Sequence, residues 1–170
     1  SLIDHDAFIY KAIFSPDSRK VASYSSDSTI KILDVNTGAQ LGKDMKHKGH
    51  IIDIEFSKDS KKLVTVSRDS TAIVWDIFTG KQLLPPFKHN GYTGKAAFLA
   101  DDKYLAVACW DRNTAIWDLV TGELAIPYLS HERRAQDVVV SQDERFLVTG
   151  SLDQSARIWN LLKPQELIKL

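Results

Sequence analysis

The sequence predicts an all-β chain of four four-stranded antiparallel units, and three observations carry that prediction. A 42-residue period runs through the 170 residues without a slip: Asp27, Asp69, Asp111 and Asp153 keep it, as do His5, His47, His89 and His131. Two further ladders hold the same register, Leu33, Trp75, Trp117, Trp159 and Phe14, Phe56, Phe98, Val140. A period of this length marks stacked supersecondary units and decides the architecture before local propensity does. Within each unit, short apolar-alternating segments rich in β-branched residues stand between turn residues. No interval between turns has room for a helix.

The units read as about 5–46, 47–88, 89–130 and 131–170 of one repeat domain, 1–170. In the second unit residues 51–56, 63–67 and 71–75 are the first three strands. Ser57-Lys58-Asp59-Ser60, Arg68-Asp69-Ser70 and Thr79-Gly80 are the turns that end them. The first unit has Ser15-Pro16-Asp17-Ser18, Ser26-Asp27-Ser28 and Thr37-Gly38 at matching places. A fourth strand is expected after each Thr-Gly pair, at Gln40-Leu41, Gln82-Leu83-Leu84 and Leu124-Ala125-Ile126. Pro85-Pro86 and Pro127 follow, which suits an outer edge because proline cannot donate to a ladder. Residues 165–170 fall where the last outer strand belongs, and 1–4 read as the tail of a preceding unit's outer strand. A segment of a larger ring is therefore the first expectation. Two copies joining into one ring and four units closing alone are the others.

Composition narrows the function. Lys plus Arg (22) equals Asp plus Glu (22), so the charge excess that nucleic-acid binders use is missing and such a role ranks last. No apolar run approaches the roughly 18 residues of a membrane span, and no membrane role is expected. The single cysteine, Cys109, fits a reducing compartment and an expected cytoplasmic location. There is no cysteine pair for zinc and no glycine-rich phosphate loop. No metal, cofactor or catalytic residue is therefore expected.

The order His, Phe-Ser-Pro-Asp, Ser-x-Asp-x-Thr, Trp-Asp, Thr-Gly resembles the WD-repeat β-propeller family. The second unit shows it best, in His47, Phe56-Ser57-Lys58-Asp59, Asp69-Ser70-Thr71, Trp75-Asp76 and Thr79-Gly80. The resemblance covers the whole chain. It implies that each unit is one blade of a propeller, with blades arranged radially about a channel.

Each unit also carries a His, a hydroxyl and an Asp, as in His5/Ser23/Asp27, His47/Thr65/Asp69 and His131/Thr149/Asp153. Such a trio can serve as nucleophile, base and orienter. Its recurrence with the period favours a framework role instead, and the resemblance implies a buried hydrogen-bond chain that includes Trp75 and Trp159. Donors and acceptors then balance: indole N–H donates, hydroxyl and neutral imidazole do both, carboxylate accepts. The first unit has Leu33 in place of Trp, and the third has Val107 in place of the hydroxyl. His89 and Trp117, grouped with Asp111, therefore need another partner or water.

If the His segments and Asp turns share a rim, as the resemblance implies, the residues beside them face a partner. Three positions after each His stand Phe8, His50, Tyr92 and Arg134, and Tyr10 lies close by. One position before each Asp stand Ser26, Arg68, Trp110 and Leu152. Aromatic and cationic residues dominate this set, as they do at interface hot spots. The expected function is a non-catalytic protein–protein interaction scaffold that offers the rim to a peptide or protein with an acidic or aromatic anchor. Self-association through open blade faces is a further expectation. The alternatives are a targeting or regulatory propeller domain of a larger, even enzymatic, protein, and then a propeller enzyme. That last would need polar residues that break the period, and none are seen to converge. The basic residues Arg19, Lys20, Lys61, Lys62, Lys103 and Arg145 alternate with Asp17, Asp59, Asp101 and Asp143, and describe solvated turns.

Overall fold

A computed structural model describes residues 4–161 and the strand at 165–169. Four antiparallel sheets follow one another along the chain. Blade 1 consists of β1 (Ile9–Phe14), β2 (Lys20–Ser25), β3 (Thr29–Asp34) and β4 (Gln40–Lys46). Blade 2 has β5 (Ile51–Phe56), β6 (Lys62–Ser67), β7 (Thr71–Asp76), β8 (Lys81–Gln82) and β9 (Phe87–Lys88). Blade 3 has β10 (Thr93–Leu99), β11 (Tyr104–Cys109), β12 (Asn113–Asp118) and β13 (Leu129–Ser130). Blade 4 has β14 (Ala135–Val140), β15 (Phe146–Ser151), β16 (Ala156–Asn160) and β17 (Gln165–Lys169). The expected tail at 1–4 falls mostly outside the described residues, as does Leu170; Asp4 lies outside any strand.

The turns form for reasons visible in their residues. After the first strand of blades 1, 2 and 4, a serine hydroxyl accepts the N–H five residues on, as in Ser57 Oγ and Lys62 N (2.8 Å). The aspartate two residues after that serine accepts the N–H of Arg19, Lys61 or Arg145. Blade 3 has Leu99 at the serine position, and its turn instead holds Ala100, Asp101 and Asp102 all at positive φ. The Thr-Gly turns close on Asp34, Asp76 and Asp118, whose Oδ1 accepts the threonine N–H. Gly38, Gly80 and Gly122 follow at φ of 68°, 68° and 75°, a conformation open to glycine.

The outer strands differ from expectation. Blade 1 has one continuous strand, but in blade 2 the edge is split into β8 and β9 around Pro85 and Pro86, both pairing with β7. In blade 3 Leu124 makes only an isolated bridge to Trp117, and the strand resumes as β13 beyond Pro127. Proline offers no N–H, so the ladder lapses where prolines stand.

Side chains alternate between the two faces of each blade, and both faces are buried at the internal junctions. Leu63, Trp75 and Ile77 pack against blade 1 residues such as Tyr24, Ile30 and Ile32. Val64, Val66 and Val74 meet Phe98, Leu105 and Val107 of blade 3. Ala106, Ala108 and Ile116 meet Val138, Leu147 and Trp159 of blade 4. First strands sit side by side near the axis, β5 beside β10 and β10 beside β14. The arc is not closed. Ile9 and Phe14 on blade 1 and Val139 and Val148 on blade 4 remain exposed, whereas their blade 2 counterparts Ile51 and Phe56 are buried.

Candidate interaction rim and its buried supports

Blade 2 holds the full polar chain. Trp75 Nε1–H donates to Thr65 Oγ1 (2.8 Å), which lies 2.6 Å from His47 Nε2. His47 Nδ1 lies 2.9 Å from Asp69 Oδ2, and Lys48 N–H and the Thr71 hydroxyl also donate to that carboxylate. The consistent proton order runs indole to hydroxyl, hydroxyl to Nε2, and Nδ1–H to carboxylate. Blade 4 repeats it with Trp159, Thr149, His131 and Asp153 at 2.9, 2.7 and 3.0 Å. Burial alone would raise the Asp69 carboxyl, but the bonds from His47, Thr71 and Lys48 outweigh it and hold the group ionised well below the usual range.

These trios have the spacing of a nucleophile, base and orienter, yet Ser23, Thr65 and Thr149 are completely buried.

Blade 1 is wired differently from the expected His5–Ser23–Asp27 chain. His5 Nε2 reaches Ser23 Oγ (2.8 Å), but Nδ1 faces Thr29 Oγ1 (3.1 Å), and Thr29 in turn donates to Asp27 (2.6 Å). No blade packs over this face, and a threonine hydroxyl is interposed between imidazole and carboxylate. In blade 3 Val107 leaves His89 Nε2 and Trp117 Nε1 with no protein hydrogen-bond partner, their rings stacked edge to face at 5.7 Å. Burial pushes the His89 imidazole down to about 4. Val107→Thr would place a hydroxyl where Thr65 and Thr149 stand. The expected gain is about 1 kcal/mol, read as a rise of about 2–4 °C in the unfolding midpoint.

The polar chains fix the rim above them. In every blade the residue before the Asp donates its N–H to the carbonyl of the residue three after the His. The bonds are Ser26 to Phe8 (2.8 Å), Arg68 to His50 (2.8 Å), Trp110 to Tyr92 (2.9 Å) and Leu152 to Arg134 (3.0 Å). Gly49 lets this crossing happen in blade 2, since a Cβ there would lie 2.9 Å from Asp69 N. The side chains gather in two groups. Tyr10 stacks on His50 (4.8 Å) and approaches Tyr24 (6.1 Å), and beside them Phe8 is 85% exposed. Farther along, Tyr92 packs on Trp110 (5.3 Å) and the Arg134 guanidinium covers the Trp110 ring at 4.7 Å. Leu152, Arg112, Glu132 and Arg133 complete a concavity of about 560 Å³ with Trp110 and Arg134, so three guanidinium groups and one carboxylate line it. Arg68 is exposed and Ser26 half-buried.

Cys109 is buried, its thiol donating to the Gly91 carbonyl, and burial pushes it up to about 12. At the opposite turns the basic residues pair locally, Lys20 with Asp17, Lys62 with Asp59 and Arg145 with Asp143.

The residue spacing hid one acid. Glu55 stands where the other blades have Ile13, Ala97 and Val139, so it breaks the period. It lies largely buried near the axis, accepts Phe98 N–H (3.2 Å), and burial pushes its carboxyl up to about 7. With Lys58, Lys95, Asp102 and Glu144 it lines a cavity of about 340 Å³. A column-by-column comparison of the repeats would have exposed it.

Four successive four-stranded blades, two of them tied by a full polar chain beneath a rim, define a β-propeller segment. The chain belongs to the WD-repeat family: the family model described as WD domain, G-beta repeat matches residues 1–34, 41–76, 87–118 and 125–160. Such repeats form propellers that serve as protein-interaction scaffolds. No curated protein matches the chain. Among solved structures it is similar to two computationally designed proteins. Ika8 shares 24% identity at a TM-score of 0.86, over 99% of this chain and 50% of its own. Ika4 shares 26% at 0.82, over 94% and 95%. The chain thus spans half the length of Ika8. Among the described residues no helix is long and apolar enough to cross a membrane.

Proposed function

We propose that this chain is a non-catalytic interaction platform whose rim captures a peptide or protein segment carrying acidic and aromatic side chains. The observation that carries it is the Tyr92–Trp110–Arg134 stack bordering a concavity with Arg112 and Arg133, where three arginines outnumber the single carboxylate of Glu132. A carboxylate beside the guanidinium groups gains charge-assisted bonds, and an aromatic anchor gains the Trp110 and Tyr92 faces. Phe8, Tyr10 and His50 extend the same surface, and Arg68 adds charge between the groups. Because the rim positions are pinned in pairs by a backbone bond that recurs in all four blades, little conformational entropy is lost on binding.

A peptide array of acidic and aromatic sequences, followed by titration of the best binder, tests this. Trp110→Ala with Arg134→Ala is expected to weaken binding at least about thirtyfold, the scale of a hot spot. Unchanged affinity in a folded double variant removes this face from consideration.

A further inference from the structure

Three ladders run from each blade to the next, and each stops half-made at the ends of the arc. The first is apolar. The faces of Ile51, Phe56, Leu63, Trp75 and Ile77 are buried under blade 1, whereas Ile9, Phe14 and Val35 at the matching positions of blade 1 are 47%, 65% and 46% exposed. Blade 4 ends on the opposite kind of face, with Val139 and Val148 at 49% and 37%.

The second ladder is one of charge. The inner strands carry Lys11, Asp53, Lys95 and Asp137 at equivalent positions, one sign alternating with the other. Lys11 pairs with Asp53 (2.5 Å) and Lys95 with Asp137 (2.9 Å). The arc therefore begins on a cation and ends on an anion.

The third ladder joins the turns. Asp17 N–H donates to Ser60 Oγ (3.1 Å), Asp59 N–H to Asp102 (3.0 Å) and Asp101 N–H to Glu144 (3.1 Å). The next donor in this series is Asp143 N–H, the missing earlier acceptor is Ser18, and both residues are exposed.

We propose that the two ends of the arc meet a second copy of this chain, head to tail, so that two copies close one eight-bladed ring about a two-fold axis along the channel. A second copy presents at once the Ile9/Phe14/Val35 face, the Lys11 cation and the Ser18 acceptor that the end of blade 4 requires. The alternation of charge survives only if an even number of blades is added, and four are. The interface is heterologous, and a half-turn between copies closes it, so assembly stops at two.

Light scattering behind size exclusion on the 170-residue chain is expected to give twice the 19.1 kDa chain mass. A 19.1 kDa species at every concentration, or a mass that climbs without limit, overturns the proposal. Val148→Glu, on the end face, is expected to give a folded monomer by circular dichroism; a persistent dimer overturns the proposal. The quadruple reversal Lys11→Asp, Asp53→Lys, Lys95→Asp, Asp137→Lys keeps alternation within itself but sets like charges at both junctions with the parent. Native mass spectrometry of the mixture is expected to show self-paired dimers of each. The hetero-dimer should fall at least about tenfold below its statistical share. Free mixing shows that positions 137 and 11 do not meet. Because no rim residue is changed, peptide binding is read separately and can fail or persist independently.

Discussion

Thr65→Val lowers the unfolding free energy by roughly 1–3 kcal/mol. The substitution keeps the shape of a side chain with no solvent exposure and removes only its hydroxyl. Both Trp75 Nε1–H and His47 Nε2 then lose the single group that joins them. An unmade buried bond costs more than a made one contributes, because the group has surrendered water without replacement. Blade 3 is a natural version of this variant, with Val107 between His89 and Trp117. Thr65→Val and Val107→Thr are thus expected to move stability in opposite directions. Denaturant unfolding of both variants checks it. Equal midpoints for Thr65→Val and parent would show that the indole and imidazole find other partners.

Glu55 makes stability fall as pH rises. Its ordinary value is 4.5 and burial pushes it up to about 7, the Phe98 N–H offsetting part of that effect. Between these values the folded chain holds a proton that the unfolded chain has released. Raising pH through this window strips it and favours unfolding. At about 1.4 kcal/mol per pH unit of separation, the loss is on the order of 3 kcal/mol once pH exceeds about 7. Glu55→Gln keeps an acceptor for Phe98 N–H and cannot ionise. It is expected to match the parent near pH 4.5 and to exceed it at pH 8. Denaturation midpoints at the two pH values measure this, and parallel pH profiles for parent and variant would overturn the assignment.

Much of the architecture was readable in the residues because repetition multiplies weak signals. One Trp-Asp pair says little. Ladders of His and Asp kept in all four units, with hydroxyl and Trp ladders each kept in three, place strands and turns together. The pairing of Phe8 with Ser26, or Tyr92 with Trp110, follows from the same register, since the crossing backbone repeats with it. The quartets of blades 2 and 4 lie at hydrogen-bonding distance because their members are all present. The outer edges were less readable, because a strand that pairs on one side only is interrupted wherever proline removes a donor, as β8 and β9 show.

What the sequence by itself determined is the set of features that recur with the repeat: four antiparallel sheets, their turns and the residues beside each rim position. What only the tertiary structure decided depends on the blade next door. Glu55 is perturbed because blade 3 covers it, and His5 turns to Thr29 on a blade with an uncovered face. Phe14 is exposed where Phe56 is buried, although the local sequences match. The physical reason is that backbone pairing is set by residues close in the chain, whereas desolvation is set by whatever packs across the interface, a distance the repeat does not encode.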